Sequence, residues 1–259
     1  MALALSARAK LNLDLEVLGR DPEGFHEIRT TFQAIELHDV LEVEPAQTTT
    51  FTSEGFAIDH HNNSVLQAHR AMEQAAGRPL TVRLHLRKKI PPGSGMGGAS
   101  SDAAATLRAL QTMHGLDVEL APLAQSIGAD VPFFLVGGRA LGEGRGERLH
   151  RLGDEEAWFA IAWPGIELST ADVYRAWDEV KGNGPNHLRR AAEHVEPRLA
   201  EFARNLGEGW QMTGSGSAFF LPVPGEKEGK NAVKRLEWAG RAQGAPIWTV
   251  VTRAVGRWA

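Results

Sequence analysis

The sequence predicts an α+β fold, because segments with the periodicity of strands and of helices follow one another in mixed order. Residues 11–17 and 80–86 alternate between apolar and polar side chains, as expected of half-buried strands. Residues 62–77 and 101–114 instead repeat apolar side chains at the spacing of a helix. The chain has 259 residues, which is enough for one or two domains with a sizeable core.

The first half of the chain is predicted to contain strands followed by helices. Strands are expected at residues 11–17, 28–37, 40–43 and 80–86, and helices at residues 62–77, 101–114 and 120–127. The first helix is expected to end at Gly77, because Pro79 lies just beyond it. The second is expected to begin with Ser100 or Ser101 as its N-cap and to stop at Gly115.

The second half of the chain is predicted to be mixed in the same way. Strands are expected at residues 158–163, 219–223 and 248–253, and helices at residues 170–180, 188–206 and 230–242. Between the halves, residues 137–146 are rich in glycine and predict a domain boundary. We therefore expect an N-terminal domain of residues 1–145 and a C-terminal domain of residues 146–259.

Composition limits the partners that we expect. The formal net charge of −4 gives no general affinity for nucleic acid or for an anionic membrane. The absence of cysteine excludes disulfides and thiolate metal sites, and it fits a reducing cytoplasm. No apolar run is long enough to span a membrane, and the N-terminal segment, interrupted by Arg8 and Lys10, predicts a first strand rather than a signal peptide. We expect a cytoplasmic protein that binds small molecules, as a monomer or weak homodimer.

The most informative segment is the run PPGSGMGGASSD, from Pro91 to Asp102, which precedes an alanine-rich helix. Glycines allow close backbone approach with unusual dihedral angles, and the N–H groups at a helix N-terminus attract negative charge. The segment therefore predicts a phosphate-binding loop.

The same glycines could instead belong to a dinucleotide-binding loop, to a P-loop or to a tight turn without a ligand. Gly93, Gly95 and Gly98 match the dinucleotide fingerprint G-x-G-x-x-G, but that fingerprint follows the first strand of a fold, and several strands are predicted before this loop. A P-loop is excluded, because no Gly-Lys-Ser/Thr follows the glycines. A tight turn without a ligand stays open, although so many glycines carry a large backbone entropy cost.

Together with a late motif, MTGSGSAFF at residues 212–220, the loop resembles the paired glycine motifs of the GHMP kinase superfamily. That superfamily is named for galactokinase and for the homoserine, mevalonate and phosphomevalonate kinases. Three further segments narrow the resemblance to the branch that phosphorylates an alcohol carrying a cytidine diphosphate group in the non-mevalonate route to isoprenoid precursors. They are AKLNL at 9–13, GRDPEGFHE at 19–27 with TFQ at 31–33, and IGADVPFF at 127–134.

The resemblance implies a two-domain fold, with an N-terminal ATP-binding domain like ribosomal protein S5 and a C-terminal ferredoxin-like α+β domain. It implies transfer of the γ-phosphate of ATP to an alcohol, with Mg²⁺ on the nucleotide and no dedicated metal ligands in the chain. The phosphates of ATP are expected on Pro91, Pro92, Gly93, Ser94, Gly95, Met96, Gly97, Gly98, Ala99, Ser100 and Ser101.

The resemblance also assigns catalytic and substrate-binding residues. Asp130 is expected to act on the hydroxyl as a base or as an orienting carboxylate, with Lys10 as its partner, because a buried carboxylate needs one. The substrate is expected to contact Asn12, Phe25, His26, Thr170, Tyr174 and Gly214. Phe25 stands where the family usually has tyrosine, so ring stacking survives and the phenol hydrogen bond does not.

Several alternatives remain open from the residues alone. Lys10 could be a solvated lysine at a strand end, Asp130 a helix cap or turn carboxylate, and Tyr174 a core aromatic. The acceptor could be mevalonate or homoserine, and the scaffold could serve as a nucleotide sensor without catalysis. A dinucleotide-dependent enzyme is the remaining alternative.

Overall fold

A computed structural model describes residues 2–61, 63–242 and 247–257 of the chain. The chain divides into two compact units that are each built from separate segments. The first comprises the segment up to Ala9, Leu37–Pro92 and Gly97–Gly137, and the second comprises Lys10–Glu36, Gly93–Met96 and the segment from Gly138 onward. The boundary expected between residues 145 and 146 stays a prediction.

The fold is α+β, as the sequence predicted. The strands are β1 Leu3–Asn12, β2 Glu16–Arg20, β3 His26–Pro45, β4 Thr50–Gly55, β5 Val82–Lys88, β6 Arg139–Gly144, β7 Arg148–Arg151, β8 Trp158–Trp163, β9 Gln211–Met212, β10 Phe219–Val223 and β11 Trp248–Arg253. The helices are α1 Ser64–Ala76, α2 Gly98–His114, α3 Leu120–Ile127, α4 Val131–Val136, α5 Thr170–Val180, α6 Arg189–Val195, α7 Arg198–Leu206 and α8 Glu226–Ala242.

The first unit places helices α1 to α4 beside a small sheet. In that sheet β5 pairs antiparallel with residues 40–45 of β3 and parallel with β4. Leu84 and Leu86 of β5 are buried on one face, because alternate strand residues point the same way. The alanine-rich helix α2 packs against α1, α3 and α4, and its small side chains allow this close approach.

The second unit has two groups of strands. Residues 28–33 of β3 pair antiparallel with β6, which pairs in turn with β7, and β2 pairs with the start of β3. A separate antiparallel sheet has the order β11-β8-β10-β9. Its central strand β8 is almost continuously buried, and helices α5, α6 and α7 cover a core that includes Trp177, Leu199 and Phe219.

Several predicted elements are confirmed with their bounds, namely α3, α5, β8, β10 and β11. The N-terminal segment is a strand, as expected, but the predicted strand 11–17 is wrong, because the chain bends at residues 13–15 between β1 and β2. The helix predicted to start at Asn62 starts at Ser64, and Asn62 itself lies outside the described residues. Among the described residues, no helix has the length and apolar character to cross a bilayer.

In two places the predicted number of elements is wrong: two predicted strands form one, and one predicted helix is two. The predicted break between strands 28–37 and 40–43 is absent, because the charged Asp39 is fully buried and hydrogen-bonded within the continuous strand β3. The predicted helix 188–206 is two helices, because Glu196 is extended before Pro197, as a residue preceding proline tends to be. Strands β4, β6, β7 and β9 and helix α4 were not predicted at all.

The side chain of Asn63 caps α1 and supports a stability prediction. Its Oδ1 accepts a hydrogen bond from the Leu66 amide at 3.0 Å, so one N–H group at the helix end is satisfied. We expect Asn63→Ala to lower the free energy of unfolding by about 1 kcal/mol in urea titrations. The control is Ser126→Ala, which removes an exposed hydroxyl from α3 and is expected to change it by less than about 0.5 kcal/mol. Equal effects would contradict the capping role.

Candidate functional site

The glycine-rich loop between β5 and α2 has a backbone that only glycine adopts readily. Gly93, Gly95 and Gly97 have φ values of 59°, 78° and 71°. A Cβ atom on Gly95 would lie 2.3 Å from the carbonyl oxygen of Thr213, closer than real Cβ atoms come. Glycine is therefore required here by backbone conformation and by close backbone approach.

The late glycine motif packs directly against this loop. The amide of Ser217 donates to the carbonyl of Gly93 at 3.2 Å, and the amide of Ala218 donates to that of Ser94 at 3.0 Å. A Cβ atom on Gly214 would lie 2.8 Å from the carbonyl oxygen of Gly95. The two motifs that the resemblance pairs are thus joined backbone to backbone within the second unit.

Lys10 and Asn12 lie beside these two motifs at the end of β1. Both are about 97% buried, so the interpretation of Lys10 as a solvated lysine is wrong. The Lys10 ammonium donates to Oδ1 of Asn12, and the Asn12 amide donates to the hydroxyl of Thr213 at 2.9 Å. Nζ of Lys10 lies 3.2 Å from the position of a Cβ on Gly214. A buried positive charge therefore faces the late glycine motif.

Asn186 holds the late motif in place and was not found by sequence reasoning. Its Nδ2 donates to the carbonyls of Met212 and Gly214 at 2.8 and 2.9 Å, and its Oδ1 accepts from the Leu188 amide at 2.9 Å. The side chain is buried and satisfies three backbone groups at once. Its sequence context, in which it follows Pro185, is that of an ordinary loop.

The N-terminus of α2 differs from the prediction. The N-cap is Gly97, and Ser100 and Ser101, predicted as caps, lie in the first helical turn. Gly97 takes the cap position because its left-handed backbone turns the loop into the helix. Among the described residues, no side chain forms a capping hydrogen bond there, so the helix end keeps amide groups for an anion.

A second group of predicted residues meets at α5. The rings of His26 and Tyr174 are stacked, with centroids 4.9 Å apart and planes at 29°. Trp177 meets the His26 ring edge-on at 5.6 Å, and Oδ1 of Asp178 lies 2.9 Å from Nε2 of His26. Trp177 and Asp178 were not predicted, although both follow Tyr174 by one helical turn and so share its face of the helix.

Asp178 is the electrostatic centre of this group. Hydrogen bonds from Arg20 and then from His26 lower its pKa to about 2, against the opposing effect of burial. Arg20 also donates to the carbonyl of Gly24, which ties the turn before β3 to α5. The carboxylate therefore stays ionised and orients the His26 ring.

Phe25 lies at the tip of the same turn and is 54% exposed. The guanidinium of Arg145 lies 3.7 Å from its ring centroid, and Arg145 is held by Asp21 at 2.8 and 3.0 Å. Asp21 also accepts the Phe25 amide at 2.9 Å. The ring is thus fixed from one side and offers an exposed aromatic surface for stacking.

Thr170 begins α5 and touches the late glycine motif. Its hydroxyl lies 2.9 Å from that of Ser215, while Ser169 caps the helix by accepting from the Asp172 amide at 3.3 Å. The helix that carries Tyr174 is therefore connected to the glycine motifs through a hydroxyl pair. A polar ligand group between the two parts of the second unit would find donors on both.

Asp130 immediately precedes α4 in the first unit. It is half-buried and has helical backbone angles of −83° and −15°, and its side chain makes no capping hydrogen bond at this N-cap position. The alternative that it caps a helix is therefore wrong. Its pairing with Lys10, which belongs to the second unit, stays a prediction.

Known proteins resemble this chain over most of its length. A family model described as GHMP kinases N terminal domain matches residues 63–138. A 4-diphosphocytidyl-2-C-methyl-D-erythritol kinase of Thermotoga maritima is 35% identical over 252 residues, which cover 86% of this chain and 93% of the relative. The kinase of the same name from Thermus thermophilus is 38% identical over 259 residues, covering 91% and 93%.

Solved structures agree with these relatives. A crystal structure of 4-(cytidine 5'-diphospho)-2C-methyl-D-erythritol kinase has a TM-score of 0.79 and 36% identity, and the match covers 98% of this chain and 100% of that one. A homoserine kinase from Cytophaga hutchinsonii has a TM-score of 0.71 at 17% identity, covering 99% and 95%. The second similarity shows the shared fold alone.

The low pKa of Asp178 predicts a pH-dependent contribution to stability. A carboxylate with a depressed pKa stabilises the folded state above its ordinary value of 3.8, and the contribution is lost as the pH falls toward 2. We expect Asp178→Asn to lower the free energy of unfolding at pH 7 by about 1 kcal/mol, a figure reduced for solvent screening. Urea titrations from pH 7 to 2.5 should show this gap closing below pH 4.

The matched control is Glu179→Gln, at an exposed position on the same helix. It is expected to change stability by less than about 0.5 kcal/mol at every pH. A gap between wild type and Asp178→Asn that stays constant with pH would contradict the electrostatic role of Asp178.

Proposed function

The chain belongs to the 4-diphosphocytidyl-2-C-methyl-D-erythritol kinases of the GHMP kinase superfamily, and on this premise we propose that it transfers the γ-phosphate of ATP to the 2-hydroxyl of 4-diphosphocytidyl-2-C-methyl-D-erythritol. The reaction is a step of the non-mevalonate route to isoprenoid precursors. The observation that carries the proposal is the backbone contact between the two glycine motifs, beside which the Lys10 ammonium is buried.

The glycine loop and the first turn of α2 bind the phosphates of ATP. Phosphoryl transfer asks a protein mainly to position its reactants and to neutralise charge. The end of α2 supplies both, because its amide groups carry no side-chain cap and the helix dipole favours an anion. The positive φ values of Gly93, Gly95 and Gly97 give the loop the backbone shape from which its amide groups bind the phosphates.

Lys10 stabilises negative charge on the transferred group. Its ammonium is buried next to the late glycine motif, where a fixed cation interacts more strongly with phosphate oxygens than it does in water. Asn12 accepts one of its hydrogen bonds and so fixes the direction of the side chain.

Asp130 orients the acceptor hydroxyl and takes its proton. A carboxylate is a weak base for an alcohol, so its main contribution is to position the oxygen while the bond between the γ-phosphorus and the leaving ADP loosens. The half-buried position of Asp130 directly before α4 supports this role.

The cytosine base stacks on the aromatic groups of the second unit. Phe25 presents an exposed ring, and His26 is held by Asp178 so that one ring edge reads the base. Tyr174 fixes the plane of His26 by stacking on it. Thr170 and Gly214 bind the diphosphate and the alcohol, a role supported by the contact of Thr170 with Ser215 of the late glycine motif.

The proposed reaction would use Mg²⁺ bound with the nucleotide. Among the described residues, no three His, Asp or Glu side chains form a group that could hold a metal ion. Mg²⁺ at ATP sites usually keeps several waters and binds substrate phosphates together with one or two carboxylates. When bound, the ion neutralises charge on the phosphates of ATP.

Removing the carboxylate of Asp130 separates catalysis from nucleotide binding. We expect Asp130→Ala to reduce kcat by about a thousandfold, within the range for loss of a positioned acid or base, while the Kd for ATP stays within about twofold. ADP release and calorimetry measure the two quantities. Asp117→Ala, at an exposed position of the same unit, serves as the control and should retain normal turnover. A near-normal kcat for Asp130→Ala would exclude the assigned role.

Removing the Phe25 ring tests the stacking site. We expect Phe25→Ala to raise KM for the cytidine diphosphate alcohol about tenfold, or about 1.4 kcal/mol, and to leave KM for ATP unchanged. Steady-state kinetics against both substrates give the comparison. Leu18→Ala removes an equally exposed apolar side chain from β2 and should alter neither constant. An unchanged KM for the alcohol in Phe25→Ala would place Phe25 outside the site.

A further inference from the structure

Three charged side chains that were not assigned above are buried together in the first unit, next to the glycine loop. Lys88, Asp39 and Asp102 are 5%, 0% and 2% exposed. The Lys88 ammonium donates to Oδ2 of Asp39 at 2.5 Å and to Oδ2 of Asp102 at 2.8 Å. We call these three residues the Lys88 network.

The Lys88 network joins the two ends of the glycine loop. On the entry side, Oδ1 of Asp39 accepts the amides of Lys89 and Ile90, the last two residues before Pro91, at 2.5 and 2.8 Å. On the exit side, Asp102 belongs to the start of α2. Lys88 connects one carboxylate to the other, so the positions of both loop ends depend on it.

The ammonium of Lys88 also lies directly beneath the first turn of α2. A Cβ atom on Gly98 would lie 2.8 Å from its Nζ, and 3.0 Å from Cγ2 of Ile90. Gly98 has no positive φ, so a methyl group here would not strain the backbone but would have to displace the ammonium. The ammonium therefore fills the space under the first turn of α2 and holds it close to the end of β5.

Burying these three charged groups costs free energy of folding. With both carboxylates ionised the network has a net charge of −1 in a buried place, and Oδ1 of Asp102 has no hydrogen-bond partner among the described residues. Burial raises the pKa of Asp102 to about 7, although Lys88 opposes the shift. Apolar side chains of similar volume often stabilise such a site more, so the network points to a role in binding.

We propose that Lys88 is a positioning residue for the phosphates of ATP, because it ties the two ends of the glycine loop together directly beneath the first turn of α2. The proposal rests on the ATP-dependent function proposed above. Lys88 does not contact the substrate alcohol in this role, and its loss acts on nucleotide affinity before it acts on turnover.

Two variants separate this role from simple structural support. Lys88→Met with Asp102→Asn removes the cation while leaving one buried carboxylate, so the network keeps its net charge of −1. Asp102→Asn alone keeps an oxygen that accepts from Lys88 and is the conservative control. Binding is measured calorimetrically with a non-hydrolysable ATP analogue, and steady-state kinetics give kcat and KM for the alcohol.

We expect the double variant to bind the analogue at least tenfold more weakly, with kcat at saturating ATP within threefold and KM for the alcohol within twofold of wild type. Asp102→Asn should bind the analogue within twofold of wild type. A folded double variant with wild-type affinity would overturn the proposal, as would parallel losses in affinity, kcat and KM for the alcohol.

A second variant keeps the test decisive if the double variant does not fold. Gly98→Ala introduces a methyl group where the Lys88 ammonium lies, at a helical position that accepts alanine. We expect its affinity for the analogue to fall at least threefold while its Tm stays within 2 °C, and unchanged affinity would overturn the proposal. If wild-type protein fails to bind the analogue at all, the proposed function falls and this inference falls with it.

Discussion

The close contact between two glycine-rich backbones is the constraint on which the rest of the site depends. Two hydrogen bonds join residues 93 and 94 of the loop to residues 217 and 218 of the late motif. A single methyl group on Gly95 would collide with the carbonyl of Thr213 at 2.3 Å. Since the two segments are more than 100 residues apart in sequence, their contact brings distant parts of the second unit into register.

Buried polar side chains stabilise that contact and supply the polar groups of the proposed site. Asn186 satisfies the carbonyls of the late motif, and Asn12 and Lys10 pack against it with their polar ends buried. In the first unit the Lys88 network fixes the ends of the same loop from β5 and α2. Burying each of these polar groups costs free energy, and each holds its partners in one geometry. This is expected where precise positions matter more than stability.

The sequence predicted the fold class and many elements, because apolar periodicity is a local signal. It failed where tertiary contacts override that signal. Asp39 resembled a strand break but is a buried hydrogen-bond acceptor in β3, and the serines after Gly98 resembled N-caps although Gly97 caps α2.

The site was predicted mainly through resemblance to known kinases. That resemblance led to His26 and Tyr174, which the structure brings into contact. Asn186 and Asp178 were not predicted, since their partners lie far away in sequence and no local pattern connects them.

The two glycine motifs position ATP for phosphoryl transfer to an alcohol that the protein recognises through its cytidine group. The most direct test compares kcat/KM for phosphorylation of 4-diphosphocytidyl-2-C-methyl-D-erythritol, mevalonate and homoserine, with the product identified by phosphorus NMR. We expect a monophosphate ester on the 2-hydroxyl of the first acceptor and a preference of at least about a thousandfold over the others. Comparable values for the three acceptors, or no transfer to the first, would contradict it.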